Sequence, residues 1–197
     1  MESGLFSRYF DSLHTVAKSL EASGADGGPL SLAEAGAWVI SAARATHDAG
    51  NKLMFIGNGG SAGIASHLSI DYSKNGNMRS LTFNDPSSLT CLGNDLGYEN
   101  VFTKQVEIHA VKGDLLVAIS SSGRSPNILG AAKLARSMGC RVVTLSGFTP
   151  DNPLRSMGDI NVYVASNQYG LVEIMHQTVL HAVLDIAMGW RGEIMAG

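Results

Sequence analysis

The stretch FIGNGGSAGIASHLSIDYSKN, residues 55–75, contains the signals that decide the fold. The segment 52–56, apolar after Lys52, has the length of a buried strand and ends at the glycine-rich segment GNGGS, residues 57–61. Helical spacing of apolar residues then follows over residues 61–74. A buried strand, a glycine-rich turn and a helix in succession predict the first unit of a parallel α/β sheet.

The same alternation of short apolar runs and helical patterns continues along the chain. Further strands are predicted at 80–83, 114–120, 141–146 and 161–165, and helices at 86–107 (with a break at 93–97), 126–138 and 170–190. With right-handed crossovers, this order predicts an α/β fold with a doubly wound, five-stranded parallel sheet. The loops after its first and third strands should lie side by side at a topological switch point, where ligands bind.

The first fifty residues precede this alternation and have a helical pattern of their own. Apolar spacing predicts a helix over 5–23, and Ser31 with Glu34 forms a capping-box pattern for a second helix that ends near Gly50. The glycine-rich tract 23–29 between them is expected to be flexible. We therefore assign residues 1–50 to an N-terminal helical segment of the same domain that makes oligomer contacts, and residues 51–197 to the ligand-binding domain.

The composition excludes several classes of function. The chain carries 14 Lys and Arg against 17 Asp and Glu, so nucleic acid is not expected as a partner. Its apolar runs are too short for a bilayer, and its N-terminal stretch, broken by Arg8 and Asp11, does not resemble a signal peptide. Cys91 and Cys140, interpreted as small core residues, form no disulfide framework and indicate a reducing, cytoplasmic setting.

Two polar loops follow the first and third predicted strands. Glycines in 57–61 let the backbone approach an anion, and the next helix offers free N–H groups. This loop also fits the dinucleotide pattern G-x-G-x-x-A, although the nearest acidic residue at the required place, Asp85, comes late. The second loop, 120–127, has four serines around one glycine, a composition suited to clamping a monophosphate. A tight turn or a helix cap without a ligand is the alternative for each.

Two predicted helices each carry an imidazole and a carboxylate. His67 and Asp71 are four positions apart, and Glu173 and His181 are eight apart, so each pair shares a helix face. Such a set can hold a divalent cation, since imidazole nitrogen and carboxylate oxygen both suit zinc. From spacing alone, packed or solvent-facing side chains remain the alternative.

Five segments together resemble the sugar isomerase (SIS) domain family, and in particular its phosphoheptose isomerases. They are NGGSA at 58–62, CLGNDLGYENVF at 91–102, ISSSGRS at 119–125, VVTLSG at 142–147 and YGLVEIMHQTVLH at 169–181. The resemblance implies a flavodoxin-like SIS fold and a homotetramer with active sites between subunits. It also implies conversion of sedoheptulose 7-phosphate to D-glycero-D-manno-heptose 7-phosphate through an enediol, for heptose synthesis in lipopolysaccharide or other glycans.

The resemblance further implies roles for individual residues. Zinc ligands are expected at His67, Asp71, Glu173 and His181, with Asp71 as the catalytic base and His181 as its acid–base partner. The family usually has Glu at the position of Asp71 and Gln at that of Glu173. The expected substrate-binding residues are Asn58, Gly59, Gly60, Ser61, Asn94, Asp95, Ser120, Ser121, Ser122, Ser125 and Glu173.

The same fold also serves proteins without catalysis. Phosphosugar-sensing regulators use it, as does a bacterial tetramer that associates with the replication initiator protein. Retention of a carboxylate at Asp71 together with His181 favours an enzyme.

Overall fold

A computed structural model of the chain describes residues 4–192 and forms a layered α/β structure. Its strands are β1 (Glu21–Gly24), β2 (Pro29–Leu30), β3 (Leu53–Gly57), β4 (Ser80–Thr82), β5 (Leu115–Ser120), β6 (Arg141–Ser146) and β7 (Ile160–Tyr163). Its α-helices are α1 (Leu5–Lys18), α2 (Leu32–Asp48), α3 (Gly60–Lys74), α4 (Pro86–Leu96), α5 (Val101–His109), α6 (Pro126–Ser137) and α7 (Tyr169–Ala187). Short 3₁₀ turns lie at Tyr98–Asn100 and Pro153–Ser156.

Five parallel strands form the centre of the sheet, as the alternation of elements predicts. They lie in the order β4-β3-β5-β6-β7, with every neighbouring pair parallel. All residues of β3 and β5 are buried, which explains their uninterrupted apolar sequences. Because β3 lies between β4 and β5, the loops after β3 and β5 open next to each other at the switch point.

The tract 23–29, expected to be flexible, is instead part of an antiparallel hairpin. Strand β1 pairs with β2 on one side and with β7 on the other, so the sheet has seven strands rather than five. The Oδ1 atom of Asp26 accepts a hydrogen bond of 2.9 Å from the backbone N–H of Gly28, and Gly27 has a φ of 79°. The residues that suggested flexibility are therefore those that a tight turn requires.

Helices cover both faces of the sheet and divide the core in two. Leu53 and Phe55 point to the face covered by α2, α3 and α7, whereas Met54 and Ile56 point to the face covered by α5 and α6. Helix α2 begins with the predicted capping box at Ser31. None of the helices within residues 4–192 has both the length and the apolar character that crossing a bilayer requires.

An ion pair aligns β3 and β5 at the edge opposite the polar loops. Asp114 is fully buried and accepts hydrogen bonds from the backbone N–H of Lys52 (3.0 Å), the Lys52 ammonium (2.6 Å) and the backbone N–H of Val111 (2.9 Å). Fixing the stagger of these two strands also fixes the relative height of the loops at their carboxyl ends.

Apolar surface is concentrated on helices α1 and α7. Phe6 and Phe10 of α1 are 72% and 65% exposed, and Ile186 and Trp190, at and just beyond the end of α7, are also exposed. An apolar cavity of about 490 Å³ lies between α2, α7 and the sheet. A single copy of the chain therefore leaves a large apolar area uncovered.

Candidate functional site

The glycine-rich loop after β3 brings the backbone close to its neighbours. The chain turns at Gly59, with a φ of 53°, into α3, whose first turn contains the buried Ser61. A Cβ at Gly57 would collide with the backbone of Ser61, and a Cβ at Gly60 would collide with the carboxylate of Glu173. Close packing against backbone thus requires the glycine at 57, whereas the end of the Glu173 side chain could move away from a residue at 60. The lack of side chains on these glycines leaves the positive end of α3 open on that side for an anion.

The serine loop after β5 forms the second wall of the same opening. Ser120 Oγ accepts a hydrogen bond of 3.1 Å from the backbone N–H of Gly123 and lies 3.3 Å from Ser125 Oγ. Ser121 is only 6% exposed, and its hydroxyl has no hydrogen-bond partner within residues 4–192. Buried hydroxyls rarely lack a partner. Less than 1 Å² of this oxygen is accessible, so the role of Ser121 in binding substrate stays a prediction.

Helices α3 and α7 bring together two imidazoles and a carboxylate. His67 Nε2 lies 3.3 Å from Asp71 Oδ2 and 3.2 Å from His181 Nε2. The buried Tyr72 hydroxyl donates a hydrogen bond of 3.0 Å to the Leu180 carbonyl. This bond joins the immediate neighbours of Asp71 and His181, and so fixes the two helices at the height where the cluster forms.

The cluster fits a divalent cation. One ligand atom from each of His67, Asp71 and His181 lies within 4.8 Å of the others. Zinc binds imidazole nitrogens and carboxylate oxygens at about 2.0–2.2 Å, so the ligand atoms around one ion lie a few ångströms apart. Glu173 is not a member of this cluster, because its carboxylate lies against Gly60. That position agrees with a role in binding substrate, and its role as a metal ligand stays a prediction.

Asn94 and Asp95 lie on α4, away from the core. Asn94 donates a hydrogen bond of 2.8 Å to Asp95 Oδ1, and no hydrogen bond joins either residue to the histidine cluster in the described part of the chain. The interpretation of Cys91 as a core residue is wrong, because α4 buries none of its residues in the single copy and Cys91 is exposed. Cys140 is buried as expected, and burial raises the pKa of its thiol to about 11.

Two polar residues at the opening, Asn127 and Tyr98, were not among the site residues predicted from the sequence. Asn127, in the first turn of α6, is buried and exchanges two hydrogen bonds of 2.9 Å with Asn58. Tyr98 donates a hydrogen bond of 3.0 Å to Asn58 Oδ1. Both lie within segments already recognised as unusual, 91–102 and 120–127, but neither type nor spacing distinguishes them there.

His176 is a buried histidine below the site. It is fully buried, and its Nε2 donates a hydrogen bond of 3.1 Å to the Ser146 carbonyl, while Nδ1 has no partner among the described residues. Burial lowers the pKa of His176 from 6.5 to about 4. The unfolded chain therefore takes up this proton at a higher pH than the folded protein.

This difference in pKa predicts a loss of stability in acid. The contribution of neutral His176 is fully present above pH 6.5 and is lost as the pH falls toward 4, by about 3 kcal/mol in total. Urea unfolding at pH 7.5 and 4.5 measures it, with His176→Gln as the comparison. The variant should lose less stability than the wild type over this interval, and equal losses would contradict the assignment.

Comparison with known proteins finds phosphoheptose isomerases both among related sequences and among solved structures. A family model described as "SIS domain" matches residues 8–147. The phosphoheptose isomerase of Aliarcobacter butzleri (strain RM4018) is 39% identical over 143 residues, 70% of this chain and 75% of that protein. The solved phosphoheptose isomerase GmhA from Neisseria gonorrhoeae superposes with a TM-score of 0.80 at 27% identity, over 92% of this chain and 97% of that one. A phosphoheptose isomerase from Francisella tularensis also gives 0.80, at 26% identity, over 96% and 100%.

Proposed function

The chain belongs to the SIS domain family and, within it, to the phosphoheptose isomerases, and on this basis we propose that it converts sedoheptulose 7-phosphate to D-glycero-D-manno-heptose 7-phosphate. One observation carries the proposal. Helix α3 begins between the two anion-binding loops and bears the acid–base cluster about two turns further on, with His67 roughly 10 Å along the axis from Gly60. That separation suits a seven-carbon sugar with its phosphate in the loops and its carbonyl end at the cluster.

The proposed reaction moves a proton between C1 and C2. The Asp71 carboxylate removes a proton from C1 of the open-chain ketose, the C–H electrons form the C1–C2 double bond, and the C2 oxygen takes a proton from His181. The enediol then gives its O1 proton to His181 as the C1 carbonyl forms. Asp71 returns its proton to C2, which completes the aldose and regenerates both groups.

Binding and orientation are the work of the loops. Ser61 and the serines at 120, 122 and 125 are proposed to hold the phosphate by hydroxyl and backbone N–H groups. Asn58 and Asp95 are proposed to line the sugar. Contacts to the non-reacting phosphate fix the sugar against Asp71, so that remote binding energy lowers the barrier to proton transfer.

We propose His67, Asp71 and His181, with Glu173 as the predicted fourth ligand, as the holders of a zinc ion. When bound there, a divalent ion would polarise the substrate carbonyl and stabilise negative charge on the enediol oxygens. The cluster geometry supports three members of this donor set, because one ligand atom from each of His67, Asp71 and His181 lies within reach of a single ion.

We also propose a homotetramer, with active sites between subunits, in the cytoplasm. The exposed apolar residues of α1, which belongs to the N-terminal segment 1–50, and the apolar cavity beside α7 support association, because such surface is rare on monomers. Both cysteines are free, as is usual in a reducing compartment. Neither nucleic acid nor a membrane is proposed as a partner.

A coupled isomerase assay with sedoheptulose 7-phosphate tests the function and the metal together. We expect activity in the purified protein, a loss of at least tenfold after chelation, and recovery with added zinc. Zinc content measured on the same samples gives a readout independent of activity. His67→Ala should lower that content, whereas His14→Ala, on the exposed face of α1, should not. No turnover in the presence of bound zinc would overturn the substrate assignment.

A further inference from the structure

Three side chains form a hydrogen-bonded chain across the opening of the site. Asn127 lies at the start of α6, Asn58 in the loop after β3, and Tyr98 in the 3₁₀ turn between α4 and α5. Asn58 Nδ2 donates to Asn127 Oδ1, Asn127 Nδ2 donates to Asn58 Oδ1, and the Tyr98 hydroxyl donates to Asn58 Oδ1. The bonds are 2.9, 2.9 and 3.0 Å long.

The backbone N–H of Ile128 determines which group donates and which accepts in each of these hydrogen bonds. The backbone N–H of Ile128 can only donate, and it lies 3.0 Å from Asn127 Oδ1. That atom must therefore be the amide oxygen of Asn127, which leaves its nitrogen to donate to Asn58. The oxygen of Asn58 then faces Asn127, so the orientation of both amides follows from a backbone group.

Counting the donors and acceptors of the Asn58 side chain shows which of them remain available to a ligand. Its oxygen accepts from Asn127 and from Tyr98, which uses both lone pairs. Its nitrogen uses one N–H on Asn127 and keeps the second. Asn58 is half-buried at the opening, so among the contacts within residues 4–192 this second N–H is the one side-chain group that it can still offer to a sugar.

We propose that Asn127 and Tyr98 are positioning residues that make Asn58 a donor-only contact to the substrate. The ligand group selected is an oxygen with a free lone pair, a carbonyl or a hydroxyl of the open-chain sugar phosphate, and this rests on the proposed function. Without the two partners the Asn58 amide could turn over and present its oxygen, which a sugar carbonyl cannot pair with.

Tyr98 tests the idea with little risk to the fold. It is 58% exposed, so Tyr98→Phe removes one hydroxyl without opening the core. We expect kcat/KM for sedoheptulose 7-phosphate to fall about fivefold. Asn127→Asp keeps an acceptor for the Ile128 N–H but cannot donate to Asn58 Oδ1, so a larger loss, about 10- to 100-fold, is expected. Thermal unfolding of each variant checks that it is folded.

A double-mutant cycle separates positioning from any direct or structural role. In an Asn58→Ala background, Tyr98→Phe and Asn127→Asp should each change kcat/KM by less than twofold, because they act through Asn58. Losses as large as in the wild-type background would overturn the proposal. Tyr9→Phe, an exposed tyrosine on α1, is the matched control for the loss of a hydroxyl.

Wild-type behaviour keeps this test distinct from the test of function. If the wild type is active but the losses of kcat/KM from Asn58→Ala and from Tyr98→Phe or Asn127→Asp are additive, the positioning role is overturned and the proposed function stands. If the wild type binds this sugar but does not convert it, the function fails, and the cycle is then measured as affinity by calorimetry. A wild type that neither binds nor converts it overturns both.

Discussion

Replacing Asp71 by asparagine is expected to lower kcat for sedoheptulose 7-phosphate by about 10²- to 10⁴-fold, the usual contribution of a general base. Asparagine has nearly the same shape but cannot accept a proton from carbon. Because Asp71 sits 3.3 Å from His67 Nε2, zinc content must be measured alongside the rate. A large fall in kcat at unchanged zinc content supports the role as base, and full activity would show that another group removes the proton.

Asp71→Glu is the matched control for this prediction. It keeps the carboxylate and extends it by about 1.5 Å, the length of one carbon–carbon bond. The family resemblance described in the sequence analysis implies glutamate at this position in the related isomerases. We therefore expect the variant to stay within about tenfold of the wild type, in contrast to the asparagine variant. Equal losses in both would mean that packing around Asp71, rather than its basicity, was measured.

Removing two hydroxyls of the serine loop should have the second largest effect. Within residues 4–192, the hydroxyls of Ser122 and Ser125 make only long hydrogen bonds of 3.3 Å. The double variant Ser122→Ala/Ser125→Ala should therefore keep its thermal stability. Each hydrogen bond to a charged group is worth about 1.5–3 kcal/mol, so losing two should raise KM by about a hundredfold or more.

The control for the serine loop lies on helix α6, which follows that loop. Ser137→Ala changes an exposed serine at the far end of α6, whose hydroxyl donates to the Leu134 carbonyl, and it should leave KM unchanged. Zinc content should be the same in the double variant Ser122→Ala/Ser125→Ala and in Ser137→Ala. A double variant with an unaltered KM would place the phosphate elsewhere.

The central sheet could be predicted because its signals are local. Strands β3 and β5 are buried on both faces and therefore read as continuous apolar runs, and each ends at a glycine or serine turn that begins a helix. The hairpin β1–β2 could not be predicted in the same way. Strand β1 has the sequence EASG, with no strand periodicity, and exists because its backbone pairs with β7, which lies far away in the sequence.

The site was predictable to the extent that its residues share a helix. The spacing of His67 and Asp71 placed both on one face, and the structure brings His181, already predicted as their partner from the last helix, to the same cluster. The position of Glu173 against Gly60 depends on how deeply α7 packs beside α3, which no local pattern reports. Asn127 and Tyr98 escaped notice for a similar reason, since their role arises only when three separate segments meet at Asn58.

The hairpin has a consequence for the behaviour of the protein at high concentration. If the sheet ended at β7, its buried residues Ile160 and Val162 would lie on an edge whose free backbone groups could pair with a strand of another molecule. The chain instead ends that side with β2, two residues long and beginning with Pro29, which has no N–H to donate. The opposite edge, β4, has only three residues. Both borders of the sheet thus resist the strand-by-strand growth that leads to fibrils.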